Sequence, residues 1–195
     1  TDDNDCIATA SVTITSNTTP PTASISASGA TTFCEGGSVI LTASGGNSYS
    51  WSTGATTAAI TVSTTGTYTV TATAANGCTD TESQAVTAHS LPTATITPNG
   101  ATTFCLGGSV MLTASGGTSY SWSTGATTAA ITVSNSGTYI VTATDANGCT
   151  DTESQVVTVH PLPTASITPN GATTFCLGGS VMLTASGGTS YSWST

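Results

Sequence analysis

The sequence contains no lysine and no arginine among its 195 residues, while nine acidic side chains give it a formal charge of −9. A surface with no fixed cation cannot release counterions from a nucleic-acid backbone, nor dock on anionic lipid. No salt bridge can form except through a charged histidine, and there are only two of these, His89 and His160. The absence of lysine also rules out an internal Lys–Asn isopeptide crosslink, so any covalent brace must be a disulfide. Large apolar side chains are sparse, with three tryptophans, three phenylalanines and two methionines. No apolar run approaches the length of a membrane span. There is no Cys-x-x-Cys, and the histidines lie far from the cysteines in sequence, which disfavours zinc. The first residues carry Asp2, Asp3 and Asp5 where a signal peptide would carry basic residues, so any export signal is expected outside this stretch.

What is present is repetition. Pro21, Pro92 and Pro163 open the same phrase at a spacing of 71 residues. A unit of that length is too long for a solenoid coil and suits a small, separately folded β-sandwich. Residues 1–20 read as the last strand (Ile7 to Thr15) and linker of a preceding repeat, with Asn17-Thr18-Thr19 as a glycosylation-type triplet. Residues 21–91 and 92–162 are whole repeats, and 163–195 is the N-terminal part of a third, ending just after its tryptophan. Joining the two terminal pieces still leaves the equivalents of Gly125 to Ala143 missing. The expectation is a window on a longer array, or strands supplied by a neighbouring chain.

Within a repeat the alternation has period two, the signature of half-buried antiparallel strands. Val39, Leu41 and Ala43 share one face, as do Tyr49 and Trp51, Ile60 and Val62, and Tyr68, Val70 and Ala72. Phe33-Cys34-Glu35-Gly36-Gly37 reads as a turn, and Ala75-Asn76-Gly77 as a hairpin connection. Trp51, Trp122 and Trp193, with Tyr68 and Tyr139, are expected core residues; the rival reading makes the indoles exposed sugar-stacking platforms.

The phrases Phe-Cys-x-Gly-Gly-Ser-Val, Tyr-x-Trp-Ser-x-Gly, Gly-Thr-Tyr-x-Val-Thr-Ala-Thr and Asn-Gly-Cys together resemble the tandem Ig-like (PKD-like) domains of Bacteroidota cell-surface proteins, such as gliding-type and other giant secreted adhesins. The resemblance covers nearly the whole chain. It implies an all-β fold of tandem immunoglobulin-like sandwiches, export to the cell surface, and a role in adhesion or filament building. It brings no catalytic residues and no cofactor.

Six cysteines sit at fixed repeat positions: Cys6, Cys34, Cys78, Cys105, Cys149 and Cys176. Such regularity in a Ser/Thr-rich chain reads as a disulfide framework in an oxidising compartment. The favoured pairing is within a repeat, Cys34–Cys78 and Cys105–Cys149, each pair 44 residues apart. It meets a geometric difficulty, because in a standard sandwich order the two would lie at opposite ends. The alternative is a sequential set, Cys6–Cys34, Cys78–Cys105 and Cys149–Cys176. Asp145, Asn147 and Asp151 form a candidate Ca²⁺ group, against a plainer reading as a solvated hairpin turn. A Thr-x-Thr ice-binding face is disfavoured by the long period, and no nucleophile elbow is present.

The functional expectation is a non-catalytic structural segment of an extracellular, disulfide-stabilised cell-surface filament or adhesin stalk. Self-association with neighbouring repeats or chains would be its partnership. The alternatives are a glycan-binding module and a spacer in a large secreted enzyme. With no basic residue, the chain offers trypsin no site: it is expected to survive trypsin even after reduction and denaturation, and any fragment on a mass spectrum would contradict this.

Overall fold

A computed structural model describes residues 7–194. The chain divides into two compact units: the residues through Leu91 together with Asn147–Cys149, and Pro92–Ala146 with the residues from Thr150 onward. All regular structure among the described residues is β.

The first unit has seven strands: β1 (Ser24–Ala27), β2 (Thr32–Cys34), β3 (Val39–Ser44), β4 (Ser48–Trp51), β5 (Ala59–Val62), β6 (Gly66–Thr73) and β7 (Thr79–His89). They form two sheets, β1-β3-β5 and β2-β7-β6-β4. All pairs are antiparallel except β2 with β7, where Cys34 stands opposite His89. The chain switches sheets after β1, so that two short strands serve one on each sheet. This is the immunoglobulin order, with the strand that usually follows the tryptophan strand reduced to a crossing at 52–58. The second unit repeats it with β8 (Thr95–Pro98), β9 (Thr103–Cys105), β10 (Val110–Ser115), β11 (Ser119–Trp122), β12 (Ala130–Val133), β13 (Gly137–Thr144) and β14 (Thr150–His160), in sheets β12-β10-β8 and β11-β13-β14-β9.

The period-two pattern is what fills the space between the sheets. Val39, Leu41, Ala43 and Val62 come from one sheet, and Trp51, Tyr68, Val70 and Val86 from the other. Leu41 and Val70 are fully buried, as are their equivalents Leu112 and Val141. In antibody domains the inner strands are bridged by a disulfide whose second cysteine follows the corner tyrosine by two residues. Here that position is Val70, and an aliphatic contact stands in its place.

Two expectations about local structure are corrected. Phe33-Cys34 is not a turn but the end of strand β2; the turn begins at Glu35. A three-residue strand beside Gly-Gly carries no readable period, and its partner lies some fifty residues downstream. Residues 7–20, expected to hold a strand, form none, and Ile7, Val12 and Ile14 are exposed. Alternation alone does not make a strand without a neighbour to take its backbone hydrogen bonds. For the same reason the third repeat, among its described residues, forms β15 (Ser166–Pro169) paired with β16 (Leu183–Ser186) and no further strand.

Between β10 and β11 the chain passes close to residue 93. Gly116 has φ of 95°, and a Cβ there would lie 1.9 Å from the Thr93 carbonyl oxygen. Gly125 has a similar φ of 85° but open space around it. Gly116→Ala should therefore cost about 2–4 kcal/mol of unfolding free energy in urea, and Gly125→Ala about 1 kcal/mol. Equal costs would refute the close approach.

Candidate functional site

Three features recur in each complete unit, and each grows from a motif noted in the sequence. The first is the indole. Trp51 and Trp122 are each 3% exposed. The Nε1–H of Trp51 donates to the Thr57 carbonyl at 2.9 Å, and that of Trp122 to Thr128 at 2.9 Å. Each bond ties the crossing segment to the tryptophan strand. Buried rings of this kind cannot stack on a sugar. Trp193, expected in a core, is instead 47% exposed. The equivalents of residues 125–162, which carry β12, β13 and β14 in a complete unit, are not in this sequence, so the sandwich around this ring is incomplete.

The second is the tyrosine at the start of the long hairpin. The Tyr68 hydroxyl donates to the Thr64 carbonyl at 2.9 Å, and Tyr139 to that of Asn135 at 2.9 Å. A tyrosine bonding back four residues at this corner is a hallmark of immunoglobulin-like sandwiches. Tyr68 is buried and Tyr139 half-buried against its core.

The third is an acidic residue at the start of the last strand. The Asp80 carboxylate accepts the Ala23 N–H at 2.8 Å, and Asp151 that of Ala94 at 2.9 Å. Sequence reasoning placed Asp151 in a candidate Ca²⁺ group with Asp145 and Asn147. The structure gives its carboxylate a structural partner in the backbone leading into the first strand of the unit. No group of three or more His, Cys, Asp or Glu side chains is arranged to hold a metal ion among the described residues.

The cysteines differ most from expectation. Cys34 is bonded to Cys149, with Cα atoms 5.5 Å apart and a sequence separation of 115. Cys78, Cys105 and Cys176 are free thiols. The favoured pairs Cys34–Cys78 and Cys105–Cys149 are therefore replaced, as are Cys78–Cys105 and Cys149–Cys176. Cys6 lies outside the described residues, but Cys34 is already engaged and is not its partner. The physical reason is the parallel pairing of β2 with β7. Cys34 stands opposite His89 at the far end of the last strand, while Cys78 immediately precedes its start. Eleven residues of extended chain separate these levels by roughly 35 Å, and a disulfide needs Cα atoms within about 7 Å. Cys105, opposite His160, stands in the same relation to Cys149.

The asparagine ahead of Cys78 bonds to the chain on both sides of its turn. The Asn76 side-chain amide donates to the carbonyls of Asn17 and Thr19, at 3.3 and 3.1 Å, and its Oδ1 accepts the Cys78 N–H. This turn therefore clasps the stretch ahead of Pro20. The clue in the sequence was the recurrence of Asn-Gly-Cys as a phrase.

No protein-family profile matches the sequence, and no curated protein matches it. Among solved structures, a C-terminal fragment of intimin, determined with the intimin-binding domain of the translocated intimin receptor, is 19% identical. The match covers 77% of this chain and 66% of that one at a TM-score of 0.43. A Ca²⁺-stabilised adhesin with which an Antarctic bacterium binds ice is 17% identical over 80% of this chain and 53% of that one, at a TM-score of 0.40. The three N-terminal domains of the outer capsid protein Hoc of bacteriophage RB49 are 20% identical, covering 85% and 69%, at a TM-score of 0.33. The fold assignment rests on the strand order and corner hydrogen bonds above; the chain is a tandem array of Ig-like domains.

Asp151→Ala removes a charged acceptor from a half-buried N–H and should cost about 1–2 kcal/mol. The loss should be the same in calcium and in chelator; a loss seen only with calcium would restore the cation reading.

Proposed function

We propose that this chain is a non-catalytic, load-bearing segment of an extracellular cell-surface filament or adhesin stalk. The observation that carries this reading is the Cys34–Cys149 bond, whose sequence separation of 115 closes most of the two complete sandwiches into one covalent ring. On chain-entropy grounds a loop of that size stabilises the folded chain by about 5 kcal/mol. That is a large contribution to units whose cores hold few big apolar side chains.

The other features fit the same role. Disulfides persist outside the reducing cytosol, which agrees with export to the cell surface. The indoles and corner tyrosines serve the packing of each sandwich rather than presenting chemistry to a ligand. Self-association with further repeats or chains is the partnership this reading calls for.

Tension applied to the two ends of the chain would pass through the bond and leave the enclosed residues unloaded. In single-molecule extension, the oxidised chain should lack the length held between residues 34 and 149, roughly 400 Å at full stretch. Reductant should release it. Equal lengths with and without reductant would remove the case for a mechanical staple.

A further inference from the structure

The free thiols are not scattered. Cys105 is the repeat equivalent of Cys34, and Cys78 of Cys149, at the 71-residue spacing. Cys34 and Cys149 are bonded to each other, while Cys105 and Cys78 are free. The local frames match. Glu35 N–H donates to the His89 carbonyl at 2.7 Å, and Leu106 N–H to that of His160 at 2.8 Å. Cys105 therefore sits on the same strand end, in the same register, as a cysteine that is bonded. It differs in exposure: Cys105 is exposed and Cys34 half-buried, as Cys78 is half-buried and Cys149 fully buried.

A second observation, independent of the disulfide, points the same way for Cys78. Its Sγ lies 3.7 Å from the Asn17 carbonyl oxygen, and Asn76 holds the Asn17 and Thr19 carbonyls. Adding the 71-residue repeat carries Asn17 and Thr19 onto Ala88 and Ser90, which flank His89. His89 is the residue that stands opposite Cys34 in the β2–β7 pair. The Asn76–Cys78 turn therefore touches the stretch beside which a Phe-Cys strand would lie in a preceding sandwich.

We propose that Cys105 and Cys78 are the two open halves of a covalent staple. Each Phe-Cys cysteine bonds to the Asn-Gly-Cys cysteine of the next repeat, 115 residues on. Cys105 accepts the Asn-Gly-Cys cysteine of a further repeat, and Cys78 the Phe-Cys cysteine of another. The partner in both cases is a sandwich of this same repeat. It can come from the same polypeptide or from a second copy.

The chemistry is thiol–disulfide exchange with a disulfide oxidant, for which glutathione disulfide serves in the test. One protein thiolate attacks the oxidant, forming a mixed disulfide and releasing one glutathione. The second protein thiolate then attacks that mixed disulfide at the protein sulfur. The protein S–S bond forms, the glutathionyl bond breaks and a second glutathione leaves. Two protein thiols are oxidised, one glutathione disulfide is reduced to two thiols, and the two thiol protons pass to the departing glutathiones. The pairing rule stands on the bond and the register, not on the mechanical role proposed above.

Two chains distinguish the sources. One is the 195-residue chain itself. The other is that chain extended by a copy of its own residues 125–162, which completes the third repeat and places an Asn-Gly-Cys cysteine 71 residues beyond Cys149. Each is oxidised in a glutathione redox buffer, alkylated, digested with a non-tryptic protease and mapped without reduction. In the extended chain, Cys105 is expected to bond to the new cysteine alongside Cys34–Cys149, with its alkylation falling about tenfold; this marks the same polypeptide as the source. In the unextended chain, Cys105 of one copy bonded to Cys78 of another marks a second copy as the source. Either result supports the staple. It is overturned if Cys105 stays alkylatable in both chains while Cys34–Cys149 forms, or if it bonds a cysteine of its own kind, such as Cys105 of another copy or Cys176. It is equally overturned if Cys34–Cys149 itself fails to form.

Discussion

The indole held between two sheets is the constraint on which each unit depends. A sandwich built largely of Thr, Ser, Ala and Gly has little bulk to keep its sheets apart and dry. One tryptophan supplies much of that bulk, and the bond from its Nε1–H to the Thr57 or Thr128 carbonyl fixes how the ring lies. That bond also satisfies the one polar atom the ring carries, which would otherwise be costly to bury. Leu41 and Val70, both fully buried, pack in the same core. With no lysine or arginine, the fold relies on shape and backbone hydrogen bonding in place of ion pairs.

The polar side chains serve the backbone instead. Tyr68 and Tyr139 tie down the corner before the long hairpin, and Asp80 and Asp151 anchor the entry to the first strand. Thr65 and Ser136 each bridge, through a hydroxyl, to the backbone of the last strand. These contacts recur unit by unit because the residues recur. The repeat carries a set of backbone clasps, and Asp151, one of the candidate Ca²⁺ residues, belongs to that set.

Much of the fold was legible in the sequence because strands announce themselves by alternation. Val39-Leu41-Ala43 and Tyr68-Val70-Ala72 could hardly be anything else, and the structure buries those faces. What could not be read was whatever depends on partners distant in sequence. Phe33-Cys34 looks like a turn because three residues beside two glycines carry no period; only the parallel register with β7 makes them a strand. The cysteine pairing needed that same register, since it decides which end of the sandwich each sulfur occupies. The difficulty with Cys34–Cys78 was visible from strand order alone, but its resolution skipped past the neighbouring cysteines to one 115 residues away. Trp193 and Ile7–Thr15 carry the right local pattern but stand in incomplete repeats, so pattern alone did not bury them.

The bond between Cys34 and Cys149 spans more chain than one repeat contains. Every peptide link from residue 34 to residue 149 lies inside one closed ring. Scission of the backbone at any single point in that stretch, by hydrolysis or by a protease, opens the ring without parting the molecule. The two pieces stay joined through sulfur, and the strands on either side of the cut remain in place to hold their sheets. Damage that would sever an ordinary string of domains is here reduced to a nick.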